Sequence, residues 1–223
     1  MRLHARIAEA LEQLYAADVE AQAAELAYHY SEAEAVLGTE RLGHFSRIAG
    51  ERALAAYAFD EALVFLSRAL EVREGETGPH LAERATDEDT AGILLALGYV
   101  QAALDQINDA LTSFHRAFDL YTSMGNVPKA VEIASYGHSS YLIPGMSDVM
   151  PRALDLVDPD SHDAGNILAN YGYALGATDS TAAWRRWNGR WQSASTRTIK
   201  YWRRGPKPTW LTYMGSICIE KSA

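Results

Sequence analysis

The side chains best suited to chemistry are seven histidines, His4, His29, His44, His80, His115, His138 and His162. A zinc enzyme sets two histidines one helical turn apart, as His-x-x-x-His, so that both imidazoles face one ion. No pair in this sequence has that spacing, so the histidines are expected to serve packing or the surface. Cys218 is the single cysteine, which excludes an intrachain disulfide framework and a cysteine-based zinc site. Gly137-His138-Ser139-Ser140 has a superficial likeness to a serine nucleophile site. A nucleophile elbow needs a preceding strand, however, and this segment reads as helix. A phosphate-cradling loop of the Walker A kind needs Gly-Lys before Ser or Thr. The lysines Lys129, Lys200, Lys207 and Lys221 follow Pro128, Ile199, Pro206 and Glu220, so no such loop exists. No catalytic residue, metal or cofactor is expected.

Charge divides the chain. Over 223 residues the formal charge is −9. Residues 1–182 hold 11 basic against 28 acidic side chains, a net −17, whereas residues 183–223 hold 9 against 1, a net +8. All five tryptophans, Trp184, Trp187, Trp191, Trp202 and Trp210, lie in that basic tail. The acidic body argues against nucleic-acid binding by residues 1–182. No uninterrupted run of about 18 apolar residues is present, so no membrane span is expected. Met1-Arg2-Leu3-His4-Ala5-Arg6 opens a charged amphipathic segment and not a signal peptide. A cytoplasmic protein is expected.

The elements that must position any site read as helices throughout. Leu3, Ile7, Leu11 and Leu14 recur at helical spacing, with Ala and Glu between them. Alternating runs rich in Val, Ile and Thr are missing, so strands are not expected. Breakers fall at Gly38, Gly75 to Pro79, Gly125 to Pro128, Pro144-Gly145 and Asp158-Pro159-Asp160. The acidic stretch from Glu74 to Asp89 is expected to be a solvated insertion.

A repeat appears when small residues are aligned. Ala49-Gly50, Leu97-Gly98, Tyr136-Gly137 and Tyr171-Gly172 are each expected in mid-helix, their glycines 48, 39 and 35 residues apart. That is near the 34-residue period of tetratricopeptide repeats. Leu94, Ile133 and Leu168 stand three before three of these pairs, and Ser46 takes that place in the first. Gly50 to Ala62 and Gly98 to Ala110 both span twelve residues, and Ala69 and Ala117 follow seven further on. Phe59-Asp60-Glu61-Ala62-Leu63 and Ile107-Asn108-Asp109-Ala110-Leu111 read as the same second-helix opening written twice. Mid-helix glycine costs about 1 kcal/mol relative to alanine, so recurrence at one phase implies a close approach between helices.

Three stretches carry a resemblance. They are Leu3-His4-Ala5-Arg6-Ile7-Ala8-Glu9-Ala10-Leu11-Glu12, Ala24-Glu25-Leu26-Ala27-Tyr28-His29-Tyr30 and Ala49-Gly50-Glu51-Arg52-Ala53-Leu54-Ala55-Ala56-Tyr57-Ala58. Together they resemble the helical arm of bacterial STAND-type signalling ATPases, which include LuxR-type transcription activators and cyclase-linked relatives. The resemblance implies a lead-in over residues 1–38 that follows a P-loop ATPase and winged-helix module, then tetratricopeptide-like repeats over 39–178. Neither the ATPase nor a helix-turn-helix is encoded here, so those activities do not carry over.

The expected architecture is therefore all-α, a tetratricopeptide-like solenoid of antiparallel helix pairs with an irregular basic C-terminal tail. In such a solenoid the first helices line a concave face. By register Glu51, Tyr99, His138 and Tyr173 point into it, with Arg47, Leu95 and Tyr141 nearby; the competing reading is that they pack neighbouring repeats. The groove is expected to take a protein segment or a small inducer, as a non-catalytic interaction and sensor arm of a signalling or transcriptional regulator. An enzyme of unknown type using that groove is the alternative, as is a basic tail that binds nucleic acid or membrane. Residues 179–223 are expected to be aberrant. Because tryptophan is always TGG, codons begun one nucleotide earlier turn each Trp into Leu, Val or Met, and residues 184–192 then permit a good repeat helix. A frameshift near Asp179 to Ala183 is expected, leaving an uncapped end open to self-association.

Overall fold

A computed structural model of the chain describes residues 1–75, 87–136 and 145–177. The expectations for the frameshifted tail, for most of the acidic insertion, and for His138 and Tyr141 lie outside the described residues. Among the described residues every regular element is helical, as the sequence predicts. The chain divides into two compact units, Met1–Met124 and Gly125–Ala223.

The first unit contains α1 (Arg2–Leu14), α2 (Ala23–Leu37), α3 (Glu40–Ala55), α4 (Phe59–Gly75), α5 (Glu88–Ala103) and α6 (Ile107–Ser123). A single turn of tighter helix, Val19–Gln22, joins α1 to α2. Gly38 ends α2 at φ +76°, a conformation that a Cβ disfavours, and so lets α3 begin two residues later.

Helices α3 and α4 form one antiparallel pair. Gly43 lies against Val72 and Gly50 against Leu66, so one chain advances as the other retreats. Helices α5 and α6 repeat this arrangement 48 residues further on, with Gly98 against Phe114. The alanines picked out by spacing, Ala62, Ala69, Ala110 and Ala117, are all fully buried. Their small side chains allow the helix axes to close up where a larger one would hold them apart.

The turns inside the two pairs also match. Tyr57 has φ +59° and Asp105 has φ +61°. Around them the Ala58 N–H donates to the Ala53 carbonyl at 2.9 Å, and the Gln106 N–H to the Gln101 carbonyl at 2.8 Å. Each is a left-handed cap that returns two orphan carbonyls to hydrogen bonding before the next helix starts.

Successive pairs share cores. One cluster joins α1, α2 and α3 through Ala8, Leu26, Tyr30, Leu42, Phe45 and Ile48. The next joins α3, α4 and α5 through Ala53, Leu66, Ala69, Ile93 and Leu97. Helix α3 belongs to both, which is how one pair is fixed on its neighbour.

The second unit holds α7 (Val127–Ser135), α8 (Val149–Leu154) and α9 (His162–Ala177). Ile133, Met150, Ile167 and Leu168 are buried in it. Asn170 donates its side-chain N–H to the Ser135 carbonyl at 3.1 Å, closing the C-terminal end of α7. Tyr136 caps α7 in a tighter helical turn, and Gly137, the other member of the expected mid-helix pair, lies outside the described residues.

Candidate functional site: the outer face of α3

Helix α3 turns its glycines toward α4 and leaves Glu40, His44, Arg47 and Glu51 along one outer stripe, at steps of four, three and four. A helix needs those steps to keep side chains on a single face. The stripe fronts two adjoining clefts, and Glu40 and His44 belong to both.

The first cleft, about 310 Å³, lies between α3 and the start of α5. Arg47 and His44 form one wall, while Arg73 from α4 and Asp87 and Asp89 form the other. Arg73 pairs with Asp87, lies 3.7 Å from Asp89, and donates from Nε to the Thr90 hydroxyl at 2.9 Å. Asp87 is also the N-cap of α5, accepting from the Thr90 N–H at 2.9 Å. Burial opposes its charge, but the Thr90 N–H and the Arg73 guanidinium outweigh that and hold its carboxyl below the usual range. Arg47 donates to Glu51 at 2.7 Å.

The second cleft, about 620 Å³, lies between the α1–α2 connection and α3 and is lined by Glu12, Val19, Arg41 and Phe45. Glu12 pairs with Arg41 and accepts from the Tyr30 hydroxyl. Burial, and then the Glu12 carboxylate, push the Tyr30 phenol up to about 12. Tyr30 stacks flat on Phe45 beneath this floor, ring centroids 5.7 Å apart.

Of the residues placed in a groove from sequence, Arg47 lines the smaller cleft and Glu51 is exposed one turn beyond it. Tyr99 is half-buried with its ring edge-on to Phe114, at 5.5 Å. Leu95, at 5 % exposure, is a packing residue: it stands 48 after Arg47, but an apolar side chain at that turn is covered. Tyr173 lies within α9, and its side chain is outside the described residues.

Sequence reasoning missed His44 and Arg73, and it read Asp87-Glu88-Asp89 as solvated loop. The structure makes Asp87 a helix cap and an ion-pair partner, and α5 begins at Glu88. The available signal was an acidic cap followed by acidic residues in a first turn.

The clefts offer paired charges and hydrogen-bonding groups beside apolar floor. Among the described residues no group of three or more His, Cys, Asp or Glu side chains converges to hold a metal ion.

No protein-family model matches the chain, and no curated protein matches it in sequence. Among solved structures it is similar to BtubC (BKLC) from P. vanneervenii, at 14 % identity and a TM-score of 0.51, over 93 % of this chain and 92 % of that one. At that identity the likeness is one of fold. Among the described residues no helix is long and apolar enough to cross a membrane.

Proposed function

We propose that the chain is a non-catalytic binding arm of tetratricopeptide type, part of an ATP-dependent signalling or transcriptional regulator. Its ligand is a protein segment or a small inducer held along the outer face of α3. The observation that carries this reading is the stripe Glu40, His44 and Arg47 fronting two clefts, with Glu51 one turn beyond, while the glycine face of the same helix packs on α4. Support for the repeat type comes from the two helix pairs, which share glycine contacts and left-handed caps at one interval. The parentage rests on the resemblance of residues 2–73 to the arms of STAND-type ATPases.

Peptides selected from a random displayed library on the purified chain test the binding role. Arg47→Ala and His44→Ala should each weaken the selected peptides about tenfold or more, with helical circular dichroism unchanged. Failure to select any peptide, or selected peptides indifferent to both variants, overturns the protein-segment reading. Hydrolysis of ATP by the purified chain overturns the non-catalytic one.

A further inference from the structure

Away from the α3 stripe, the fold brings together two histidines that the sequence keeps 25 residues apart: His4 Nδ1 on α1 lies 3.0 Å from His29 Nδ1 on α2. Their ring centroids are 5.1 Å apart and inclined by 49°. Tyr28 sets its ring edge-on to both, at 5.9 Å from His4 and 5.2 Å from His29. The supporting backbone is fixed on each side of the pair. On α1, Ala5 and Ala8 are buried, and on α2 Leu26, Ala27 and Tyr30 are buried. Helix packing therefore fixes the backbone positions from which the two part-buried rings meet, and the rings retain the rotation that sets their final geometry.

At that distance one imidazole donates its Nδ1–H to the Nδ1 of the other, the tautomers deciding which. A metal ion can take the place of that proton, with both rings then ligating through unprotonated Nδ1. With metal–nitrogen bonds of about 2.0–2.1 Å, two nitrogens held at a right angle on one ion are roughly 2.9 Å apart, and at a tetrahedral angle roughly 3.3 Å. The observed spacing lies between the two and nearer the right angle, so the ion can enter by small ring rotations without parting the helices.

We infer that His4 and His29 form a two-nitrogen site for a late first-row divalent metal ion, with solvent in the remaining positions. Imidazole suits copper, nickel and zinc, and near-right-angle nitrogen ligation favours copper(II) and nickel(II), with copper(II) bound tightest. The ion would tie α1 to α2 at the edge of the first unit. An imidazole ligates only when unprotonated, so acidification should release the metal.

Copper(II) titration of the full chain, followed by calorimetry against a weak competing chelator and by electron paramagnetic resonance, tests this. The wild-type spectrum should report two equatorial imidazole nitrogens. His4→Gln and His29→Gln should each lower affinity about a hundredfold, because the second ligand acts at high effective concentration only while the first is in place. The double variant, left with neither imidazole, should fall further, to the level of the scattered histidines, and His162→Gln should bind like wild type. Circular dichroism of each variant separates lost ligation from lost folding, and the spectrum of any folded variant still reports its nitrogen count. Wild-type binding no tighter than that of the variants, or a single-nitrogen spectrum, overturns the proposal and leaves only a shared proton. Equal loss on replacing His162 overturns it too, since the copper would then be held at scattered histidines.

Discussion

Gly98 lies so close beneath Phe114 that a Cβ added to it would sit 2.6 Å from the ring carbons Cδ1 and Cε1. Phe114 is fully buried and has Tyr99 against it, so the ring has nowhere to retreat without disturbing the pair. Gly98→Ala should therefore lower stability by about 1–3 kcal/mol despite the better helix propensity of alanine. Gly92, on the same helix, meets only the Tyr121 hydroxyl at 3.8 Å. Gly92→Ala should raise stability by about 1 kcal/mol. Urea midpoints of the two variants, read by circular dichroism, should move in opposite directions.

The same pairing explains how much of the fold could be read from the chain. Gly50 and Gly98 occur in one register with Ala62 and Ala110, and a residue type that weakens a helix recurs only where close packing needs it. Helix existence and pairing were therefore legible for α3 to α6. Leu95 shows where register stops being enough. Whether a side chain at that turn opens on a cleft or is covered depends on neighbouring elements, and the count of residues carries no such information. The approach of His4 to His29 was invisible for a related reason, because it spans two helices whose relative rotation is set by Ala5, Ala8 and Leu26. Asp87 was misread because acidic residues suit both a solvated loop and a helix start, and its partner Arg73 is distant in sequence.

Ser46 occupies the place held by Leu94 in the next repeat. It is 1 % exposed, and its hydroxyl has no hydrogen-bond partner. A buried polar group without a partner costs about 1–3 kcal/mol. Ser46→Ala should raise the thermal midpoint, whereas Ser46→Leu should lower it by overfilling the buried space around α3. A differential scan of both variants checks the pair of outcomes.

Asp87 does two jobs that separate by substitution. Asparagine caps a helix about as well as aspartate, so Asp87→Asn should lose only the ion pair with Arg73, less than about 1 kcal/mol. Asp87→Ala should cost about 1–2 kcal/mol by removing the cap as well. The carboxyl is held below its ordinary 3.8, so its contribution is whole above that pH and is lost as pH falls through the lower, folded-state value. The stability gap between wild type and Asp87→Asn should close on acidification, as urea melts between pH 6 and pH 2 will show.

Tyr30 gives the opposite limb of the pH profile. Its phenol is held at about 12 against an ordinary 10.0, first by burial and then by the Glu12 carboxylate that its hydroxyl donates to. The folded chain keeps the proton more firmly than the unfolded one, so this stabilisation is whole below pH 10 and is lost between pH 10 and about 12. Ultraviolet difference titration should show late phenol ionisation to which Tyr30 contributes beside Tyr136, whose burial also raises it, together with loss of helix. Tyr30→Phe should remove the Tyr30 contribution and leave the other tyrosines unchanged.

Helix pairs whose members adjoin in sequence also bear on how the first unit is made. Its tertiary links are short: Glu12 is joined to Arg41 across 29 residues and Glu74 to Arg116 across 42. Closing loops of that size costs little more than closing shorter ones, since the entropy grows only logarithmically with length. A low mean separation of partners places such a chain among the faster folders. Synthesis runs from the N-terminus at about 5–20 residues per second. Each helix leaving the ribosome therefore finds its packing partner already in the open, a few seconds ahead of it.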